Sequence, residues 1–398
     1  MFQGVSLDQA PPFEAPLLFF LGALFFGLLG GFALFFDSSI ATLHLFTIGV
    51  LMMVMFGALQ QMLPVVVGVK FEHPFKAALL AFFPIFFGLV LFWSAFWLKL
   101  SLLLVGVSLL LIGIGGFGLV TLFKLFKAPY TSPTVIAMRL SLLFLLLALL
   151  LGAHLGSSLG LMKVGKSFEL LLPIHALLAG FGWIGLLIVG VSFQVIPMFY
   201  VTPEMEEKKR KLLVYALGFL VVLSTIAPFI HPKAALIAFI TLLFGYLLYA
   251  LLTLRQLQRR KRALKEPTIL FWQIGLGSLF FLPMLFFFDP QAFAIVGIFG
   301  FAMSVVFGML YKIIPFLAWF HISSRGFFDM PTMKEMISEK LALIQLFTHI
   351  AATLLLAIQP PLAAPLTILS FLLLGFNLLR PVRIYFDYKK RPSPFEMR

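Results

Sequence analysis

Apolar residues occupy twelve long blocks of this chain, and polar residues gather in the short segments between them. A helix needs about 20 apolar residues to cross a bilayer. The blocks are continuous rather than alternating, which favours helices over the strands of a membrane barrel. The sequence therefore predicts an all-α polytopic membrane protein with about twelve transmembrane helices. The predicted spans are 15–36, 40–69, 77–98, 100–123, 135–160, 168–201, 212–230, 234–254, 268–288, 291–320, 341–359 and 362–382.

The segments between the spans alternate in charge. Of the 29 Lys and Arg residues, only Lys99, Lys163, Lys166 and Lys233 lie after odd-numbered spans. The other 25 lie on the side of the even-numbered loops and the C-terminal tail, as in Lys208–Lys211 and Arg259–Arg262, and include Arg139, Lys312 and Arg380 near the span ends on that side; odd loops such as Asp37–Ser39 are short. Cytoplasmic loops of membrane proteins carry the excess of Lys and Arg. Both termini are therefore predicted to be cytoplasmic, in a bacterial inner membrane.

The composition agrees with a chain whose solvent is largely lipid. Hydrophobic residues make up 62% and charged residues 11%, against about 45–50% and about 25% in soluble domains. The net charge of +14 is assigned to the basic loops, so a lipid bilayer and not nucleic acid is the expected partner. Cysteine is absent, which excludes disulfides and thiolate metal sites. Met1–Glu14 has no basic residue, so the first apolar block is expected to be retained and not cleaved as a signal peptide.

One motif recurs every four spans. It reads Gly, seven residues, Gly, three residues, Gln or Lys, two residues, Pro, and it lies in spans two, six and ten. The motif predicts a single transmembrane domain, 1–398, built from units 15–123, 135–254 and 268–382 around a pseudo-threefold axis. Its residues are Gly49, Gly57, Gln61 and Pro64; Gly182, Gly190, Gln194 and Pro197; Gly300, Gly308, Lys312 and Pro315.

Each position of the motif has a physical interpretation. Glycines eight apart lie on roughly one side of a helix and admit a close neighbour, which is either another helix, as in ordinary small-residue packing, or a flat cofactor. Proline frees a carbonyl one turn earlier and kinks the helix. The amide or ammonium one turn before the proline is expected to bind such a freed group. The alternative for Lys312 is that its long side chain extends to the membrane interface and keeps the ammonium in water.

Twelve helices with three related central spans resemble subunit I of the haem-copper oxidase superfamily. His44 matches the position of that superfamily's low-spin haem ligand. The segments Leu43–Gly49, His175–Trp183 and Gly308–His321 look like those of oxidase-related membrane proteins, and more distantly like the haem-copper protein NnrS of the nitric oxide response. The resemblance implies bound haem, most simply b-type, and other membrane or cytochrome subunits as partners.

The chain departs from the oxidase pattern where copper would bind. Span seven has no histidine, and the only histidine of span ten, His321, lies at its cytoplasmic end. His175 lacks the Pro-Glu and Tyr that follow the equivalent oxidase histidine. Copper is therefore not expected, and neither is oxygen reduction, because the ligand set decides which metal a site holds.

Four histidines remain as candidate cofactor ligands: His44, His154 and His175 toward the outer face, and His349 near mid-membrane. His44 and His175 are also the candidate metal ligands. Histidines embedded in membranes are usually functional, although a hydrogen bond to a neighbouring helix is the simpler role. Counted back from the second motif glycine, His44 and His175 project from their helices in directions about 160° apart around the helix axis, so a shared haem is not implied. Met52, Met53 and Met55 are alternative second axial ligands.

The preferred interpretation is a haem-binding membrane protein, with a role in electron transfer, nitric oxide or haem handling, or as an accessory subunit. A secondary transporter and a cofactor-free structural subunit are the alternatives. Transporters often have twelve spans with both ends inside, but the common six-plus-six repeat differs from the four-helix repeat of this sequence.

Overall fold

The computed structural model describes residues 11–36, 40–261 and 264–394. Asp37–Ser39 and Arg262, which belong to the loops discussed above, lie outside the described residues, as does nearly all of the N-terminal stretch. Twelve helices long and apolar enough to cross a membrane occupy the described part, which has no strand. The all-α polytopic membrane fold is therefore confirmed.

We number the membrane helices in chain order. They are α1 Glu14–Ala33, α2 Ile40–Val67, α3 Pro74–Ala95, α4 Leu102–Phe126, α5 Pro133–Gly160, α6 Ser167–Tyr200, α7 Glu207–Phe229, α8 Pro232–Gln258, α9 Pro267–Phe288, α10 Pro290–Ser323, α11 Glu339–Ile358 and α12 Pro360–Lys389.

Two helices are longer than their apolar blocks. Helix α7 begins five residues before the predicted span because the basic segment ahead of it is helical, with an ion pair between Lys211 and Glu207 one turn apart. Helix α12 continues past its apolar block and buries Tyr385 and Tyr388. With 30 residues, α12 is longer than α2 with 28.

The three helices that carry the motif lie at the centre. In their most apolar windows, 72% of residues in α2 and 67% in both α6 and α10 are buried, more than in any other described span. They meet around a small apolar cavity of about 60 Å³, to which α2 contributes Met55, α6 contributes Val191 and α10 contributes Met309.

The central helices share one departure from α-helical geometry. Each contains an eight-residue π-helical segment, Leu45–Met52 in α2, Leu178–Gly185 in α6 and Val296–Met303 in α10. The first motif glycine is the fifth residue of every one of these segments. A conformation that is rare in proteins thus recurs at the same motif position three times.

The motif glycines admit helices and not a cofactor. A Cβ built on Gly49 would lie 2.5 Å from Phe26 of α1, on Gly182 2.8 Å from Phe144 of α5, and on Gly300 2.7 Å from Ser278 of α9. The second glycines repeat the arrangement with the same three helices: Gly57 meets Phe20, Gly190 meets Ala137, and Gly308 meets Phe271. In each unit the first helix therefore packs on the second at both glycines.

The motif side chains before the prolines do not bind freed carbonyls. Neither Gln61 nor Gln194 donates a hydrogen bond to the backbone in the described part of the chain. The ammonium of Lys312 pairs with the carboxylate of Glu266, at the start of α9, and lies 5.3 Å from the ring of Tyr200. The expected pairing with the backbone is therefore wrong. For Lys312 the physical reason is that a carboxylate is a stronger partner for an ammonium than a neutral carbonyl is.

Candidate functional site: a pair of imidazoles

The structure brings together two histidines that lie far apart in sequence. The rings of His44, at the start of α2, and His175, in α6, have centroids 6.2 Å apart and planes inclined by 19°. Both rings are half-buried. Each histidine precedes the π-helical segment of its helix, so the pair lies closer to the membrane face than the central cavity does. The face concerned is the one whose loops carry only the four lysines Lys99, Lys163, Lys166 and Lys233, and we call it the low-charge face.

His44 is held from its own helix and from α3. Its Nδ1 lies 2.7 Å from the carbonyl oxygen of Ile40, one turn earlier. The ring of Phe92, in α3, packs against it with centroids 5.0 Å apart. These two contacts fix the orientation of the imidazole and shield one side of it from water.

His175 is held by α5. Its Nδ1 lies 2.9 Å from the carbonyl oxygen of Ala148. One turn along α5, Gly152 leaves the space that the ring occupies: a Cβ at Gly152 would lie 2.8 Å from Cε1 and 3.2 Å from Nδ1 of His175. Ala148 and Gly152 thus form a seat for the imidazole on the surface of α5.

The hydrogen bonds define the chemistry of both rings. A carbonyl oxygen can only accept, so each Nδ1 carries the proton and each Nε2 carries the lone pair in the neutral ring. Within the described residues, neither Nε2 has a hydrogen-bond partner. Metal-binding histidines typically donate their other ring N–H to a backbone carbonyl or carboxylate in this way. Both rings are therefore oriented as ligands.

The separation of the rings suits one metal centre. A metal–nitrogen bond is about 2 Å long, so two imidazoles on opposite sides of one ion have ring centroids roughly 6 Å apart. The pair fits that value and its planes are nearly parallel. In the part of the chain that the structure describes, no three His, Cys, Asp or Glu residues gather as a metal site. At this separation the two imidazoles could together hold one metal ion.

The other two candidate histidines lie elsewhere. His349, in α11, is buried, and its Nε2 lies 3.0 Å from the carbonyl oxygen of Phe299 and 3.1 Å from Oγ of Ser304. It therefore binds the backbone of the π-helical segment of α10. His154 is exposed on α5, and its ring makes no contact within the described residues. Their assignment as cofactor ligands stays a prediction that the geometry does not favour.

The three methionines that were alternative ligands are buried: Met52, Met53 and Met55 lie in the helical core. The side chain that lies beside the ring of His44 is the imidazole of His175 and not a methionine. The seat formed by Ala148 and Gly152 had no sequence signal, because a glycine in an apolar helix is equally typical of helix packing.

Helical phase did not predict the pairing. The 160° difference assumes an uninterrupted turn of 100° per residue, and an eight-residue π-helical segment follows each histidine. A π-helix bonds residue i to i+5 and turns less per residue, but the two segments are equally long and lie at the same motif position, so they shift both histidines alike and leave the difference unchanged. The pairing instead reflects how α2 and α6 are placed against one another, because two histidines on different helices can lie side by side whatever their phase within their own helices.

A larger cavity lies beside the pair. It has a volume of about 640 Å³ and is enclosed by α6, α7, α8, α9 and α10. Leu43, Ile174 and Ala176, which flank the two histidines in sequence, line its wall, and neither imidazole does.

No protein-family model matches the chain, and no curated protein matches it. The kinship with haem-copper oxidases therefore stays a prediction.

Proposed function

We propose that this chain is a haem-binding integral membrane protein in which Nε2 of His44 and Nε2 of His175 would hold the iron of a b-type haem. The observation that carries the proposal is the pair of facing imidazoles, each anchored through Nδ1 to a backbone carbonyl. Bound in this way, haem supplies one-electron oxidation and reduction.

The surrounding residues perform three tasks. The carbonyl groups of Ile40 and Ala148 hold the Nδ1 protons, which keeps both rings in the ligating tautomer. Gly152 admits the ring of His175 to α5. Phe92 packs against His44 and lowers the local dielectric, which strengthens charge interactions at the site.

The described residues offer no third imidazole to hold copper beside the pair. Electron transfer to or from another membrane or cytochrome subunit is therefore the proposed role, and oxygen reduction is not. A transporter could use such a pair as a proton relay, and a structural subunit could use the hydrogen bond from His175 to α5, so the optical spectrum has to separate these alternatives from the haem protein. We further propose that the low-charge face is the outer face of a bacterial inner membrane, with both termini in the cytoplasm.

The test is the optical spectrum of the purified protein and of three variants. Wild type is expected to show a Soret band and the sharp reduced α-band of a low-spin haem. His44→Ala and His175→Ala are each expected to lose or shift these bands. His154→Ala is the matched control, because that ring lies toward the same face and makes no contact.

Two results would contradict the proposal. One is a wild-type protein, expressed with ample haem, that has no Soret band. The other is a spectrum unchanged by both His44→Ala and His175→Ala. Oxygen turnover with cytochrome c or quinol is expected to be absent, and robust turnover that His175→Ala abolishes would show that an oxygen site exists.

A further inference from the structure

The 640 Å³ cavity is long, apolar and open toward the low-charge face. At its mouth lie Glu169 of α6, Ala235 of α8 and Pro290 of α10, and at its inner end lie Gly185 and Tyr246. The 16 residues from Glu169 to Gly185 correspond to a depth of roughly 20 Å. The cavity is therefore long and apolar enough to take a hydrocarbon chain.

Two hydroxyl-bearing residues line the cavity wall, and only one of the hydroxyls has a hydrogen-bond partner among the described residues. The hydroxyl of Tyr246 donates to the carbonyl oxygen of Phe181 and so closes the inner end without leaving a free donor. The hydroxyl of Ser224 is 3% exposed and has no partner among the described residues. Ser224 lies five residues before the end of α7, about 7 Å below it. A buried hydroxyl without a partner costs free energy, so an acceptor at this depth would stabilise it.

The mouth carries most of the charge on this face. Lys163 and Lys166 precede α6, and Lys233 lies two residues before Ala235 of the cavity wall. They are three of the four lysines of the low-charge face, all three are exposed, and none has an ion-pair partner among the described residues. The acidic groups nearby are Glu169 and Asp289, and Asp289 caps the helix that follows it. The mouth is thus net positive.

We propose that the cavity binds one phospholipid from the leaflet on the low-charge face. A hydrocarbon chain fills the cavity, the phosphate lies between the lysines of the mouth, and the hydroxyl of Ser224 donates to an ester carbonyl oxygen. Apolar burial supplies the affinity for the chain, and the ammonium groups supply that for the phosphate. The site is separate from the imidazole pair, whose rings do not line the cavity.

Filling the cavity provides the first test. A Cβ at Gly180 meets no atom within 4 Å, and Gly180 lines the cavity, so Gly180→Leu places a side chain in the path of the lipid without a backbone clash. Gly116→Leu is the matched control, because a Cβ there is equally free and Gly116 lies on the exposed surface of α4. Lys163→Gln, Lys166→Gln and Lys233→Gln together remove the charge of the mouth.

The measurement is native mass spectrometry of delipidated protein titrated with phosphatidylglycerol or phosphatidylethanolamine, with diacylglycerol and glycerol 3-phosphate as partial ligands. We expect one tightly bound phospholipid on wild type and on Gly116→Leu. Binding to Gly180→Leu should be at least about tenfold weaker, since excluding two methylene groups suffices for that. The triple lysine variant should lose its preference for phospholipid over diacylglycerol.

Three results would overturn the proposal: full phospholipid binding by Gly180→Leu, equal affinity of wild type for diacylglycerol and phospholipid, or displacement of the lipid by an equal concentration of glycerol 3-phosphate. The Soret band of each variant is recorded in parallel. A protein that loses phospholipid and keeps its band supports the lipid site separately from the haem site, and a protein without haem that binds one phospholipid rejects only the haem proposal.

Discussion

Gly152→Ala tests the imidazole pair without removing a ligand. The added Cβ would lie 2.8 Å from Cε1 of His175, so the ring must move by about 0.6 Å to reach an ordinary contact of about 3.4 Å. The movement lengthens the bond of 2.9 Å to the carbonyl oxygen of Ala148. Loss of such an outer hydrogen bond costs about 10- to 100-fold in metal affinity, or about 1.4–2.8 kcal/mol. We expect haem affinity to fall by that factor while the helical content stays unchanged.

Gly156→Ala is the control for this prediction. It lies one turn further along α5, and its added Cβ would also lie 2.8 Å from a side-chain atom, but that atom is Cγ2 of Val107. The two variants therefore impose equal crowding on α5 and only one of them displaces the imidazole. Haem titration of the apoprotein and the reduced-minus-oxidised spectrum provide the comparison. Equal affinities for Gly152→Ala and wild type, or equal losses in both variants, would refute the seat as a positioning device for the ligand.

Three further predictions follow from other contacts. His349→Leu should lower the unfolding midpoint, because it removes the hydrogen bonds of the buried imidazole to the carbonyl of Phe299 and the hydroxyl of Ser304 at a cost of about 1–3 kcal/mol, and should leave haem content unchanged; haem loss would return His349 to the candidate ligands. Lys312→Met should destabilise the protein by about 1.5–3 kcal/mol in denaturant unfolding, and adding Glu266→Gln should recover most of that loss, since the carboxylate then needs no counter-ion. A reporter fused after Arg398, which lies outside the described residues, should be active in the cytoplasm, and activity only on the opposite side would reverse the topology.

The two sites lie close enough to influence one another. Leu43 and Ile174 line the proposed lipid site and directly precede His44 and His175 in the chain. Lipid bound there would shield the pair from water on that side. The haem midpoint potential is expected to respond to this shielding, since burial is one of the factors that set it.

The amino-acid sequence determined the features of this protein that depend on local patterns. Twelve apolar blocks predicted twelve helices, because a chain in lipid must satisfy its backbone hydrogen bonds within each helix. The spacing of the motif glycines identified the three central helices, because a glycine permits close packing wherever its helix lies. Where charged or amphipathic residues extend a helix, as in α7 and α12, apolar blocks alone underestimated its length.

Only the tertiary structure decided which groups meet. Each motif glycine proved to admit a side chain of the preceding helix, a contact that the glycine itself does not encode. The pairing of His44 with His175 depends on how α2 and α6 are placed against one another and on a seat supplied by Ala148 and Gly152 of a third helix. Contacts of this kind join residues distant in the chain, and in a sequence that is 62% hydrophobic many alternative apolar contacts are nearly equal in energy. Polar partners and steric gaps, which appear only once the helices are packed, therefore selected the arrangement.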